Sequence, residues 1–289
     1  MYQVLQIVFP IFAIVFAGYF YARWHWPDMA SANRLNIDVF IPALIFSVLA
    51  DKNLVLEDYG LLALLCVPVV LGSGPVAWAF GRFLGYENKV FLPPMMFNNS
   101  GNMGLPLALF AFGEDALSGA MILFLVSNML HFTVGNAMIS GELHPLRLLK
   151  LPIPQATFAG VAFNLLEIPV WPPLFESIDL LGQISIPLML FALGVRMRSG
   201  DFSDWKIGAV GAVVCPLSSL LIALPLVLIV DLPPVQEAQL LIFSVLPPAV
   251  LNFMLAEKYQ VDPGKVAAIV LLGNFASLFV IPVALYFVL

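Results

Sequence analysis

Ten apolar runs of about twenty residues constrain the fold of this chain more than any other feature. A helix of that length crosses the hydrocarbon core of a bilayer. The chain has 61% hydrophobic and 10% charged residues, whereas a soluble domain has about 25% charged residues. We therefore predict an all-α polytopic protein of the lipid bilayer. Its ten spans are predicted at 3–22, 34–50, 59–83, 90–112, 117–139, 152–170, 174–196, 206–230, 236–257 and 265–288.

The positions of lysine and arginine test this count of spans. Eleven of the twelve fall in the first, third, fifth, seventh and ninth connections, and only Lys52 falls on the opposite side. Because cationic loops stay in the cytoplasm, these five connections are predicted to be cytoplasmic and both termini to face outward. No basic residue precedes the first run, which indicates a retained span and not a cleaved signal peptide. The sequence therefore predicts a multi-pass protein of the inner cell membrane.

The two halves of the chain resemble each other around their proline residues. Residues 39–46 match residues 184–191, and residues 96–97 match residues 242–243 at nearly the same offset. With five spans in each half, the halves enter the membrane in opposite directions, as in the inverted repeats of secondary transporters. The predicted units are the first repeat, a short basic cytoplasmic linker and the second repeat, over residues 1–139, 140–151 and 152–289.

A polar interruption of the fourth apolar run is the first candidate for a functional site. Residues 97–106 contain three Asn, one Ser, two Gly and one Pro, without a charged residue. Gly and Pro disfavour a helix interior, and backbone groups freed in lipid need partners from protein or water. We expect two half-helices to meet there at an unwound point, as in transporter binding sites. The alternative is a kinked helix whose small residues pack against a neighbour.

The ninth run carries a second interruption at Pro247 and Pro248, with Asn252 after it, and we predict that spans four and nine cross at their breaks. The alternative for the two prolines is a structural kink. Half-helices that begin at a break offer free N–H groups and positive dipole ends, which favour an anion such as a carboxylate. No Lys or Arg is expected at membrane depth, so amides and dipoles would bind the anion. The candidate residues are Asn98, Asn99, Ser100, Gly101, Asn102, Gly104, Pro106, Pro247, Pro248 and Asn252.

Two titratable residues are candidates for proton coupling. Asp38 lies a few residues into the second span, where an acid is costly and often functional. The alternative is an interfacial acid paired with Arg34, one helical turn earlier. His131, in the fifth span, is a candidate proton relay, with a hydrogen-bonded core histidine as the alternative. Amide and carbonyl oxygens could instead hold sodium, so proton coupling and sodium coupling both stay open.

Motifs for other functions do not occur in the sequence. It has no phosphate-binding loop, no His-Glu-x-x-His, no Cys-x-x-Cys and no basic tail for nucleic acid. Cys66 and Cys215 lie in apolar runs and fit neither a disulfide framework nor a metal cluster. We therefore expect no enzyme, no metal, no cofactor and no nucleic-acid partner. Besides a carrier, a channel or a membrane-embedded ligand sensor with the same pocket stays an alternative.

Residues 99–107, Asn-Ser-Gly-Asn-Met-Gly-Leu-Pro-Leu, resemble the fourth-span signature of the auxin efflux carrier family. The resemblance extends to the ten spans, the Pro-bearing second span and residues 246–252, followed by Ala-Glu-Lys-Tyr at 256–259. The short loop between the halves is similar to that of prokaryotic members, which are described as permeases for malonate or other organic acids.

The family implies a fold similar to that of the bile-acid/sodium symporters. Spans 1, 2, 6 and 7 would form a scaffold, and spans 3–5 and 8–10 a transport domain with an X-shaped crossover. The resemblance also implies a homodimer through the scaffold. We thus predict a secondary-active or uncoupled carrier of a small organic anion, such as malonate or an auxin-like acid, working by an elevator-type mechanism. The crossover positions carried over are Gly101, Asn102, Pro106, Pro247, Pro248 and Asn252.

Overall fold

The computed structural model describes residues 2–25, 27–142, 149–198 and 203–289. Its elements within these ranges are helices. One isolated antiparallel bridge pairs Asn98 with Pro248. Seven of the described helices are long and apolar enough to cross a membrane. The prediction of an all-α polytopic membrane protein is therefore confirmed. Half of the predicted linker at 140–151 lies outside the described residues, which omit 143–148.

We number the helices of the described ranges in chain order. Several contain a π-helical or 3₁₀ turn at one end or in the middle, and each such turn is counted as part of its helix. They are α1 Tyr2–His25, α2 Ala30–Leu49, α3 Leu56–Leu84, α4 Asn88–Met96, α5 Ser100–Phe112, α6 Leu117–Ser140, α7 Pro152–Leu165, α8 Pro172–Arg198, α9 Trp205–Ile229, α10 Pro234–Ser244, α11 Val250–Tyr259 and α12 Pro263–Val288.

Two of the predicted spans are each divided into two helices. The run predicted at 90–112 becomes α4 and α5, separated by extended backbone at Phe97. The run predicted at 236–257 becomes α10 and α11, with Pro247 and Pro248 between them. A proline has no N–H to donate and restricts the residue before it, so the helical hydrogen bonds stop at the proline pair. Both interruptions lie where the sequence predicted a break.

Two sets of helix contacts organise the remaining elements. α1 packs along the second half of α8, and α2 packs against α7 and α8. Separately, α9 packs against α12, α3 and α4, while α3 packs against α4 and α6. At the α1–α8 contact the backbones approach closely, since a Cβ on Gly18 would lie 2.1 Å from the Phe191 carbonyl oxygen. Glycine at such a position is what allows two helices to pack backbone to backbone.

Large apolar side chains cover the outside of the helices. Phe83 is 88% exposed, Leu228 is 84% exposed and Phe279 is 76% exposed. Exposed apolar patches of this kind mark a membrane or protein interface. Their positions on α3, α9 and α12, three of the membrane-length helices, agree with lipid contact along those helices.

Candidate functional site

The two helix interruptions lie against each other. We call residues 97–99 and 245–249 the crossing. The Asn99 N–H donates to the Pro247 carbonyl at 2.7 Å, and the Ala249 N–H donates to the Phe97 carbonyl at 2.9 Å. Unwound backbone inside a membrane needs such partners, because no water is present to replace them. Each break therefore satisfies part of the backbone of the other.

Side-chain amides of both interruptions hold the crossing together. Asn98 Nδ2 donates to the Phe243 carbonyl, at the end of α10. Asn252 Nδ2 donates to the carbonyls of Phe97 and Ala249, at 2.9 and 3.0 Å. Asn98 and Asn252 are both buried. The sequence suggested that these amides offer donors to a ligand, but in the structure their N–H groups go to backbone carbonyls, which lack helical partners there.

A third amide contact involves Asn99 and a residue that the sequence analysis did not select. Asn99 Nδ2 donates to Asn274 Oδ1 on α12 at 3.0 Å. Asn274 Nδ2 in turn donates to the carbonyls of Pro248 and Val270, at 3.1 and 2.8 Å. Asn274 therefore connects the crossing to α12. A lone Asn within an apolar run was the available signal for it, since such polar residues are seldom placed in a span without a partner.

Free backbone donors remain at the start of α5. The N–H groups of Ser100, Gly101 and Asn102 make no hydrogen bond to any described residue, and Asn99 provides no side-chain cap. The same holds for Val250 and Leu251 at the start of α11. Uncapped helix N-termini carry a partial positive charge and attract anions. The crossing thus presents backbone donors, as the sequence predicted for the half-helices.

A cavity of about 180 Å³ lies over these donors. An apolar cavity of about 150 Å³ holds benzene, so this one has room for a small organic molecule. Side chains from α2, α6, α8 and α11 complete its wall. No Asp or Glu is among the described residues that line it. The lining residues with polar side chains are Asn33, Asn36, Asn98, Asn99, Ser100, Asn102, Ser127, Asn128, His131 and Arg196.

The cavity lies on one side of the crossing. We call the side that holds the five cation-bearing connections the basic face. The lining residues of α2 and α8 lie in the halves of those helices that lead to this face, and α11 runs from the crossing to the same face. Exposed Ile37 and Met254 are among the lining residues. On the other side is a cavity of only about 20 Å³, lined by Ser100, Gly104 and Gln239. The crossing is therefore reached from the basic face in this structure.

Three helices of the cavity wall contain a wide, π-helical turn at the site. The turns are Asn36–Phe40 in α2, Ser100–Gly104 in α5 and His131–Gly135 in α6. Asn36, Ser100 and His131 each begin one of them and each line the cavity. Wide turns of this type are rare and occur frequently at functional sites. Their concentration around one cavity supports its choice as the candidate site.

His131 packs against the first half of the crossing. Its side chain is buried, and its ring stacks on the Phe97 ring with centroids 4.2 Å apart and planes 8° from parallel. Nε2 of the imidazole and Oδ1 of Asn252 are both buried and make no hydrogen bond to a described residue. This packing agrees with the core histidine that the sequence analysis held as the alternative to a proton relay.

Asp38 lies beside the cavity wall but is not among the described residues that line it. Its carboxylate is 3.7 Å from Arg34 Nε, and the two side chains are 50% and 85% exposed. The structure thus contains the ion pair with Arg34 that was the alternative to a coupling role.

The remaining candidates form the frame of the site. Gly104 lies on the opposite side of α5, in the small cavity, and Pro106 is buried in the first regular turn of that helix. Pro247 and Pro248 accept hydrogen bonds through their carbonyls and do not line the larger cavity. These prolines therefore shape the breaks and do not face the cavity.

Arg196 lines the cavity but was not among the predicted site residues. It is the last residue of the span predicted at 174–196 and was counted among the cations of the seventh connection. In the structure α8 continues to Arg198, and half-buried Arg196 lines the cavity together with Met189 and Leu193. These residues are spaced by four and three positions and so share one helix face. That periodicity was the signal that could have placed Arg196 in the cavity wall.

Comparison with known proteins gives consistent matches. A family model described as "Membrane transport protein" matches residues 3–156 and 141–285. A Rhizobium meliloti (strain 1021) protein named "Putative malonate transporter" is 28% identical over 313 aligned positions, covering 100% of this chain and 97% of that protein. An uncharacterized transporter of Methanocaldococcus jannaschii is 24% identical over 306 positions, covering 96% of each chain. Another, from Methanothermobacter thermautotrophicus, is 28% identical over 186 positions, covering 59% of each.

Proposed function

Because the chain belongs to the membrane transport protein family, that of the auxin efflux carriers, we propose that it is a secondary-active or uncoupled carrier of a small organic anion. One observation carries this proposal. The cavity is lined by uncapped helix N-termini and by Arg196, without an acid among its described lining residues. Such a lining attracts a negative charge and repels none.

A small carboxylate such as malonate is the first substrate to test. The cavity volume of about 180 Å³ suits an anion of that size. The relative named as a malonate transporter aligns with the entire chain, which supports the same choice. An auxin-like acid is a larger substrate of the same charge, and it serves as the comparison in a substrate screen.

We further propose that the chain forms ten spans in two inverted repeats and transports by an elevator-type movement. In this mechanism α1, α2, α7 and α8 form the scaffold, and α3–α6 with α9–α12 form the transport domain. The contact sets described above support the grouping, since α1 packs with α8 and α9 packs with α12 and α3. The cavity lies between the two groups, which is where an elevator carrier exposes its substrate.

Location, assembly and coupling complete the proposal. We place the protein in the inner cell membrane with the basic face in the cytoplasm, both termini outside, and a homodimer formed through the scaffold. Proton coupling through His131 or Asp38 and coupling to sodium are separate hypotheses. The burial of His131 against Phe97 supports a structural role for this residue over a relay.

The test is flux of radiolabelled malonate into proteoliposomes that contain the purified protein. Asn102→Ala is the informative variant, because Asn102 lines the cavity and its side chain makes no hydrogen bond to described residues. We expect it to raise KM about tenfold, the effect of losing one hydrogen bond to an anion, without lowering the melting temperature. Asn53→Ala, in an exposed loop, is the matched control.

Two results would contradict the proposal. The first is an absence of flux for every small carboxylate tested, and ligand binding without flux would then favour a sensor. The second is unitary currents in a planar bilayer, which a channel gives and a carrier does not.

A further inference from the structure

We propose that Arg196 binds the transported anion only while the cavity is open toward the basic face, so that the carrier has a tighter site on that side than on the other. This inference rests on the proposed function and assigns a specificity residue within it. Arg196 lines the cavity from α8, which belongs to the scaffold group. The backbone donors of the crossing belong to α5 and α11, which are in the transport group.

The position of Arg196 is fixed by the contact between α1 and α8. Gly194 lies two residues before Arg196, and a Cβ on it would lie 1.9 Å from the Val15 carbonyl oxygen of α1. Gly18 approaches the Phe191 backbone equally closely. Two such backbone contacts leave no room for α8 to shift along α1 near its end. Arg196 therefore moves with α1 and α8.

The donors of the crossing form a separate unit. The hydrogen bonds of Asn99 to Pro247 and of Ala249 to Phe97 join the starts of α5 and α11. His131 of α6 stacks on Phe97 and so belongs to the same unit. An anion held by the N–H groups of α5 and α11 would travel with this unit and not with α8.

The α8 wall of the cavity is apolar except at its end. The described α8 residues that line it are Met189, Ala192, Leu193 and Arg196. The first three offer only van der Waals contact, along which a packed unit can slide without breaking hydrogen bonds. Arg196 is the polar member, one turn from Ala192 towards the basic face.

Movement of the crossing unit therefore separates the anion from Arg196. A displacement of one helical turn is about 5.4 Å, whereas a charge-assisted hydrogen bond needs about 2.7–2.9 Å between its heavy atoms. The anion thus loses its contact with the guanidinium on the way across. It keeps its contacts with the backbone donors, which travel with it.

Among the described residues, Glu257 is an acid placed to attract Arg196, and it lies exposed on α11. Glu257 belongs to the moving unit. The alternative role for Arg196 is therefore to attract Glu257 and so hold the scaffold and the transport group together, which we call a latch. The two roles differ in what removal of Glu257 does. An anion-binding Arg196 gains affinity for substrate when a competing carboxylate is removed, whereas a latch is broken by loss of either partner.

The experiment measures malonate KM separately at each face, in right-side-out and inside-out membrane vesicles. Arg196→Gln is expected to raise KM at the basic face about tenfold to a hundredfold, the effect of losing a charge-assisted hydrogen bond. KM at the opposite face is expected to stay within about twofold of wild type, because Arg196 has no contact with the anion there. Arg34→Gln is the matched control, since Arg34 is an exposed cation on the same face.

Further variants keep the inference testable if Arg196→Gln folds poorly. Arg196→Lys retains the charge without the fork of donors, and we expect a smaller rise in KM that is again confined to the basic face. Glu257→Gln is expected to lower KM at the basic face. Equal changes at both faces, no change at either face, or the same effect from Glu257→Gln as from Arg196→Gln would overturn the inference. Absence of malonate flux in wild type would instead contradict the proposed function together with it.

Discussion

The two helix interruptions occupy matching places in the two halves of the chain but differ in their chemistry. The first contributes Asn98 to Asn102 to the cavity wall, with a polar side chain or a free N–H at each position. The second contributes mainly carbonyls, since Pro247 accepts from Asn99 and Pro248 accepts from Asn274. The first break therefore supplies most of the polar side chains of the cavity, whereas the second holds the first in place and adds the free N–H groups of Val250 and Leu251.

The difference between the two breaks follows from the chemistry of proline, asparagine and glycine. A proline pair cannot donate backbone hydrogen bonds, so its carbonyls are available as acceptors for the neighbouring break. Asn and Gly adopt unwound conformations readily and leave N–H groups open. If both breaks contained proline pairs, backbone carbonyls would lack donors. If both were rich in Asn and Gly, N–H groups would lack acceptors. Either case is costly in a membrane.

The most damaging change is expected behind the second break. A Cβ at Gly273 of α12 would lie 2.4 Å from Cδ of the Pro248 ring, which is rigid. Gly273→Ala should therefore displace the crossing and destabilise the protein by about 2–3 kcal/mol, as overpacking does. The thermal melting curve in detergent measures this. Gly60→Ala is the control, because a Cβ there meets nothing within 4 Å, and equal melting of both variants would refute the framework role.

Loss of an amide at the second break is expected to have the next largest effect. Asn252→Ala removes two hydrogen bonds to Phe97 and Ala249, although each carbonyl keeps one backbone donor. We expect a loss of about 1–2 kcal/mol of unfolding free energy. Flux should fall in proportion to the folded fraction. A large rise in malonate KM with an unchanged melting temperature would show that Asn252 touches the substrate. The proposed difference between the two breaks would then be wrong.

A smaller effect is expected at His131, which packs against the first break. His131→Gln removes the stack on Phe97, and aromatic pairs of this type contribute about 0.5–1.5 kcal/mol. We expect flux to fall by a similar factor at every pH between 5.5 and 8, as the substitution disturbs packing. A flux that becomes independent of pH only in the variant would instead identify His131 as a proton relay.

The smallest effect is expected at Asp38. Its ion pair with Arg34 is largely exposed at 50% and 85% of the two side chains, and such pairs contribute little to stability. Asp38→Asn should change the melting temperature by less than the error of the scan and leave malonate flux and its pH dependence unchanged. A loss of pH-dependent flux in this variant would restore the coupling role for Asp38.

Much of the architecture was predictable from local sequence signals. The apolar runs are long because a helix that crosses a bilayer needs about twenty residues, and a cluster of Asn and Gly or a proline pair interrupts a helix. The break at Phe97 and the break at Pro247 and Pro248 were predicted for this reason, and α4, α5, α10 and α11 end or begin beside them. Predicted boundaries were less accurate, as α7 ends at Leu165 and not at residue 170.

Which groups face a ligand was much less predictable. Asn98 and Asn252 have the same amide chemistry as Asn102, but only Asn102 keeps its amide free of hydrogen bonds to described residues. The partners of Asn98 and Asn252 are carbonyls that lie 145 and 155 residues away in the chain. Arg196 was counted with a connection because it ends the predicted span, whereas in the structure α8 continues to Arg198 and Arg196 lines the cavity.

Residues close together in the chain were enough to predict a helical membrane protein with two polar interruptions, because span length and helix breaking are local properties. The internal repeat also led us to predict that the two interruptions meet. The hydrogen bonds that join the interruptions, the position of the cavity toward the basic face and the place of Arg196 in its wall came from the tertiary structure. These features depend on the rotation and depth of each helix against distant neighbours, which the local sequence does not fix.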